Sequence, residues 1–129
     1  MKILLAEDDF ASRKFMGKYL SKYGECDITV DGQEAVEAFV MAVEDGEPYD
    51  LLCLDVMMPV MDGFQVLEEV RAIEQSSGVA KEKRVKIIMT TALNEEKNVK
   101  KAFDMECTAY TGKPIDMEKF DLLITKLFQ

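Results

Sequence analysis

Short apolar runs alternate along this chain with longer segments whose apolar residues recur at helical spacing. Lys2 to Ala6 is the first run, and Ser12 to Tyr23 follows it with Phe15, Met16, Tyr19, Leu20 and Tyr23 on one side of a predicted helix. Cys26 to Val30 predicts a second strand. Asp31-Gly32 then gives a turn and an N-cap, after which Ala35, Val36, Phe39, Val40 and Val43 share one helix face until Asp45 to Pro48 ends it. Leu51 to Leu54 predicts the third strand, and Val66, Leu67, Val70 and Ile73 form the stripe of the next helix. Gln75 to Arg84 is polar and predicts a loop. Val85 to Met89 is a fourth strand, Asn94 caps a helix reaching Phe103, and Ala109 to Thr111 is a fifth strand. Phe120, Leu123, Ile124 and Leu127 mark a closing helix.

Strands that are apolar on both faces, each followed by a helix, predict an α/β fold: a doubly wound five-stranded parallel sheet covered by helices on each side. No repeat or linker divides the chain, and 129 residues suit one domain with a single core, expected to span residues 1–129.

Open sheets of this kind bind ligands beyond the carboxyl ends of their strands. Glu7, Asp8 and Asp9 follow the first strand, Asp55 ends the third, Thr90 and Thr91 follow the fourth, and Lys113-Pro114 follows the fifth. Each has an ordinary explanation alone. An acid after a strand serves equally as a helix cap, Asp55 as a turn residue before Pro59 and Asp62-Gly63, and threonine is common at strand ends. Their joint placement on one edge is what those explanations leave over. Converging acids repel one another unless a cation joins them, and all-oxygen ligands point to Mg²⁺, with Mn²⁺ as a substitute. A carboxylate nucleophile, a metal, a lysine and a hydroxyl together suit phosphoryl chemistry.

Composition narrows the choice. Asp and Glu outnumber Lys and Arg 25 to 16, and the resulting charge of -9 argues against direct binding to a nucleic-acid backbone. The chain has no histidine, which removes Ser-His-Asp arrangements and His-ligated metals. Its three cysteines lack CxxC spacing, as expected of reduced thiols in a cytoplasmic protein. No apolar run approaches a membrane span, so no membrane insertion is expected.

The segments LLAEDDF, LDVMMPVMDG, IIMTTA and AYTGKP, taken in that order, resemble the receiver domains of two-component response regulators, the CheY-like family. The resemblance covers essentially the whole chain and implies the strand order 2-1-3-4-5. It implies that Asp55 is the phospho-acceptor, that Asp9, Asp55 and the Met57 backbone carbonyl hold Mg²⁺, and that Asp8 completes the acidic pocket through a metal-bound water. Thr91 then donates its hydroxyl to the phosphoryl group and Lys113 pairs with another of its oxygens. Tyr110 takes the aromatic switch position, and the Lys113-Pro114 bond is expected to be cis.

The implied partners are a sensor histidine kinase or histidine phosphotransfer protein as donor, consistent with a chain that lacks histidine, and a downstream target reading the fourth helix, fifth strand and fifth helix. Such a protein catalyses its own phosphorylation and dephosphorylation but is a signalling switch rather than a turnover enzyme. Met57 and Leu93 flank the route of hydrolytic water in this family, and both are apolar here, which implies slow self-dephosphorylation. Two departures stand out. Gly112 loosens the strand before Lys113, and the Gln75 to Arg84 connection is long, with Lys81, Lys83 and Arg84 available to a partner. The chain ends with its fifth helix, so a stand-alone regulator is expected.

Three other readings compete. A haloacid-dehalogenase-like phosphatase also uses a strand-end Asp, Mg²⁺, Thr and Lys, but wants a second Asp where this chain has Met57. A flavodoxin-like nucleotide or flavin binder needs a phosphate-cradling loop, for which Glu7-Asp8-Asp9 carries the wrong charge. A degenerate receiver acting as an unphosphorylated interaction module is disfavoured by the complete acid, Thr and Lys set.

Overall fold

The apolar runs become the strands of one sheet. The computed structural model describes residues 1–92 and 96–129. In chain order the elements are β1 (Lys2–Ala6), α1 (Phe10–Leu20), β2 (Glu25–Thr29), α2 (Gly32–Glu44), β3 (Leu51–Asp55), α3 (Gly63–Ser76), β4 (Lys86–Thr91), α4 (Glu96–Asp104), β5 (Ala109–Gly112) and α5 (Met117–Leu127). The strands pair in parallel in the order β2-β1-β3-β4-β5, the order the resemblance implies.

Side chains alternate across the sheet and divide the core in two. Ile3, Leu5, Leu51, Cys53 and Ile88 face Met16 and Leu20 of α1 and Phe120 and Ile124 of α5. Leu4, Leu52, Leu54, Ile87 and Met89 face Ala35 and Phe39 of α2, Leu67 and Val70 of α3, and Ala102 of α4. The central strand β3 is buried along its entire length, Asp55 included. The registers Ala6 with Leu54, Asp55 with Thr90, and Thr91 with Gly112 align the strand ends along one edge.

Among the described residues, four helices start on an aspartate. Asp9, Asp31, Asp62 and Asp116 each accept a hydrogen bond from the backbone N–H three residues on, and Asp62 with Gln65 completes a capping box.

Several boundaries move from their sequence-based positions. α1 begins at Phe10 and ends at Leu20, and its Phe15 is exposed, whereas Gly17 packs against Ile28 of β2. β4 runs on through Thr90 and Thr91. Gly112 is a paired residue of β5, and Lys113 N–H continues the ladder to the Thr91 carbonyl at 2.7 Å, so the strand is firm where its glycine suggested slack.

The Gln75 to Arg84 segment is not all loop: α3 includes Gln75 and Ser76, and Lys81–Lys83 forms a 3-10 turn. The last turn of α3 is polar because it is exposed, except for Glu74, which is buried. That carboxylate accepts from Val85 N–H at 2.7 Å and from Arg71 Nη1 at 2.7 Å, while Arg71 Nη2 donates to the Glu106 carbonyl at 2.8 Å. The polar pair thus ties the long connection back to β4. Leu93 and Asn94 lie outside the described residues.

Candidate functional site

Glu7 is the first residue past β1, and its backbone N–H still donates to Thr29 of β2 at 3.2 Å. It therefore keeps the alternation of Ile3 and Leu5, and its carboxylate is buried, only 2% exposed. One oxygen lies 2.5 Å from Lys113 Nζ, and the other accepts from Asp9 N–H at 3.2 Å. Arg13, one turn into α1, donates to the carbonyls of Glu7 and Asp8 at 3.3 and 3.1 Å, holding that bend from outside.

Asp55 enters from the end of β3. Its Oδ1 accepts from Met57 N–H at 3.2 Å, and its Oδ2 lies 3.3 Å from Lys113 Nζ. The backbone behind it is fixed by α3, because Gly63 N–H donates to the Val56 carbonyl at 2.9 Å. A Cβ on Gly63 would stand 2.5 Å from the Asp55 carbonyl oxygen, so only glycine permits this approach. The Lys113-Pro114 bond is cis.

Glu7, Asp8 and Asp55 each bring a carboxylate oxygen within 4.8 Å of the others. The sequence reading joins Asp8 and Asp9 to Asp55; in the structure Glu7, not Asp9, lies with Asp8 and Asp55. Asp9 is exposed, and its Oδ2 accepts from Ser12 N–H at 2.9 Å to cap α1. Hydrogen bonds from Ser12, backbone first, hold its pKa below the usual value. The signal that identifies Glu7 is the period of two through Ile3 and Leu5, and the Asp9-to-Ser12 spacing already reads as a cap.

The electrostatics of the cluster are those of a site short of positive charge. Burial raises the Asp55 pKa to about 7, aided by the hydrogen bond and charge of Glu7; Lys113 and Met57 N–H pull it down without prevailing. Burial works against the Lys113 charge, but Glu7 and Asp55 outweigh it and raise its pKa. Among the described residues one lysine thus serves two buried carboxylates, with Asp8 beside them exposed. An all-oxygen donor set with surplus negative charge suits a hard divalent cation such as Mg²⁺.

The other expected residues sit around this cluster. Thr91 is fully buried and is a hydrogen-bond partner of the Tyr110 phenol, whose pKa is raised by burial and lowered in part by that bond. Thr90, its neighbour, pairs in register with Asp55. The Met57 side chain is exposed. Among the described residues no helix is long and apolar enough to cross a membrane.

A family model described as the response regulator receiver domain matches residues 3–125. The chain is 32% identical over 126 residues to the probable transcriptional regulator ycf29 of Porphyra purpurea, covering 97% of this chain and 55% of that protein. It is 32% identical over 120 residues to the chemotaxis protein CheY of Treponema pallidum, covering 92% and 76%. It spans about half of the first of these relatives and only 6 to 12% of the histidine kinases it also matches. Among solved structures, a chain of the CheX-CheY-BeF3-Mg complex from Borrelia burgdorferi superposes with a TM-score of 0.84 at 24% identity, covering 100% of this chain and 90% of that one. With its strand order, its strand-end acids and lysine, and a family match over almost its whole length, the chain belongs to the response regulator receiver domain family.

Proposed function

We propose that the chain is the phosphorylatable receiver of a two-component phosphorelay, taking a phosphoryl group from a phosphohistidine on a sensor histidine kinase or histidine phosphotransfer protein onto Asp55. The observation that carries this reading is the buried Asp55 carboxylate at the open strand edge, 3.3 Å from Lys113 Nζ and beside Glu7 and Asp8.

In this reading an Asp55 oxygen attacks the phosphorus, the bond to the donor nitrogen breaks, and an aspartyl phosphate results. Glu7, Asp8, Asp55 and the Met57 carbonyl would hold Mg²⁺ or Mn²⁺, which would supply positive charge to the site. Lys113, released from Glu7 and Asp55 as their charge is taken up, pairs with one phosphoryl oxygen. The Thr91 hydroxyl takes another, leaving Tyr110, so that phosphorylation is read at β5 and passed to the face formed by α4, β5 and α5. A downstream target binding that face completes the switch. The exposed, apolar Met57 side chain cannot orient water by hydrogen bonding, and slow hydrolysis of the phosphate belongs to the same reading. The partly to fully buried free thiols of Cys26, Cys53 and Cys107 suit a cytoplasmic site of action.

Intact mass after incubation with a small phosphodonor tests the reading. One phosphoryl adduct is expected with Mg²⁺ and none with chelator or with Asp55→Asn; an equal adduct on the variant would overturn it.

A further inference from the structure

A second charged site lies at the far end of β4 from the acids. A cavity of about 190 Å³ opens at the amino ends of β4 and β5, lined by Arg71 of α3, Lys81 and Arg84 of the long connection, Lys86, Glu106 and Thr108. Lys86 begins β4 four residues before Thr90, the partner of Asp55, which puts the cavity about 13 Å from the acidic edge along the strand. Arg71 is fixed in its wall by Glu74 and by the carbonyls of Val85 and Glu106, so its charge is already answered. The other cations are less well served. Arg84 is anchored through Nε to the Val79 carbonyl at 3.3 Å, and among the described residues its Nη atoms meet only Glu106 Oε2, at 4.0 Å, beyond hydrogen-bond distance. Among the described residues neither Lys81 nor Lys86 has a hydrogen bond or ion pair for its ammonium group. Thr108 Oγ1 accepts from Ile87 N–H at 2.9 Å and keeps a proton to donate.

We propose that this cavity binds the doubly charged phosphoryl group of a small anion, at a site separate from Asp55 and independent of its phosphorylation. Lys81, Arg84 and Lys86 face one exposed acid, Glu106, and the surplus of positive charge matches a dianion. A guanidinium flanked by ammonium groups and a hydroxyl is a donor set suited to tetrahedral phosphoryl oxygens. The volume is below the roughly 300 Å³ at which pockets for larger organic ligands begin, so the charged head alone is enclosed. The net charge of -9 chooses among anions. A nucleic acid or an anionic membrane extends beyond the screening length of about 10 Å and meets that net charge, whereas a small anion responds to the cations lining the cavity.

Pyrophosphate is the probe, added to the whole chain in chelator so that no metal joins it to the acidic cluster, and followed by amide NMR. Saturable binding with a Kd of about 1 mM or below is expected, with shifts concentrated at residues 81–86 and 106–108 and none at Asp55 or Lys113. Lys86→Gln, whose ammonium group supports nothing in the fold, weakens binding by roughly tenfold, and Arg84→Gln does the same. The spectra also report whether each variant is folded, and Lys86→Gln alone carries the test if Arg84→Gln disturbs the connection to Val79. Acetate at equal ionic strength gives no saturable shift. The proposal is overturned if pyrophosphate does not saturate, if its shifts centre on the acidic edge, if acetate reproduces them, or if Lys86→Gln binds as tightly as the wild type.

Discussion

Lys113 is bound to Glu7 more closely than to Asp55: its Nζ lies 2.5 Å from Glu7 Oε1 and 3.3 Å from Asp55 Oδ2. The lysine expected to meet a phosphoryl oxygen is thus held by an acid with no assigned role in the sequence-based reading, and that contact makes Glu7 part of the site's charge balance.

Glu7 and Asp9 are separable by mutation. Glu7→Gln weakens Mg²⁺ binding by more than about tenfold in calorimetric titration. Asp9→Ala lowers the urea midpoint, because the N-cap of α1 is lost, but leaves Mg²⁺ affinity within about twofold. A tenfold loss from Asp9→Ala with none from Glu7→Gln would return the ligand role to Asp9.

The stability of the protein in chelator depends on pH through Asp55. Its pKa in the fold, about 7, lies above the ordinary aspartate value of 3.8, so the folded state holds this proton more tightly than the unfolded chain. Stability from this group is complete below 3.8 and is lost as pH rises to 7 and beyond. Allowing for solvent at the strand edge, Asp55→Asn is more stable than wild type at pH 8 by about 1–2 kcal/mol and close to it at pH 4, by urea unfolding in chelator. Saturating Mg²⁺ at pH 8 stabilises the wild type and not the variant.

Removing the shared cation exposes the same balance. Lys113→Met leaves Glu7 and Asp55 without their counter-charge, and costs roughly 2–3 kcal/mol at pH 8 in chelator. Acidification to pH 5 recovers part of the loss by protonating Asp55. Urea midpoints at the two pH values measure both effects.

The first turn of α3 has no room to spare over the Asp55 backbone. Gly63→Ala forces a methyl against the Asp55 carbonyl oxygen, where a Cβ would stand at 2.5 Å, and destabilises the fold by roughly 2–3 kcal/mol. Mg²⁺ titration of the folded variant is expected to show weakened binding as well, since Asp55 must move to relieve the contact.

The sheet was legible because its signal is local and periodic: strands such as Leu51 to Leu54 are apolar at every position, which only a sheet covered on both sides requires. The strand-end residues Asp55, Thr91 and Lys113 were legible for the same reason, each following such a run. The choice between Glu7 and Asp9 was not, because three adjacent acids look alike until the end of β1 is fixed. One residue of register decides which of them turns inward with Leu5 and which is left to cap α1. The last turn of α3 was hidden by its exposed polar residues, and the role of Glu74 depends on Arg71 and Val85, contacts that no spacing rule predicts.

The central claim is that Asp55, and no other carboxylate of the cluster, takes the phosphoryl group. Borohydride reduces an aspartyl phosphate to homoserine, so reduction after phosphotransfer from a phosphohistidine donor, followed by peptide sequencing, locates the acceptor directly. Homoserine at position 55 alone, formed with Mg²⁺ and not with chelator, is the predicted result. Homoserine at position 8 or 9, or none at position 55 after confirmed transfer of phosphate to the chain, would contradict the account.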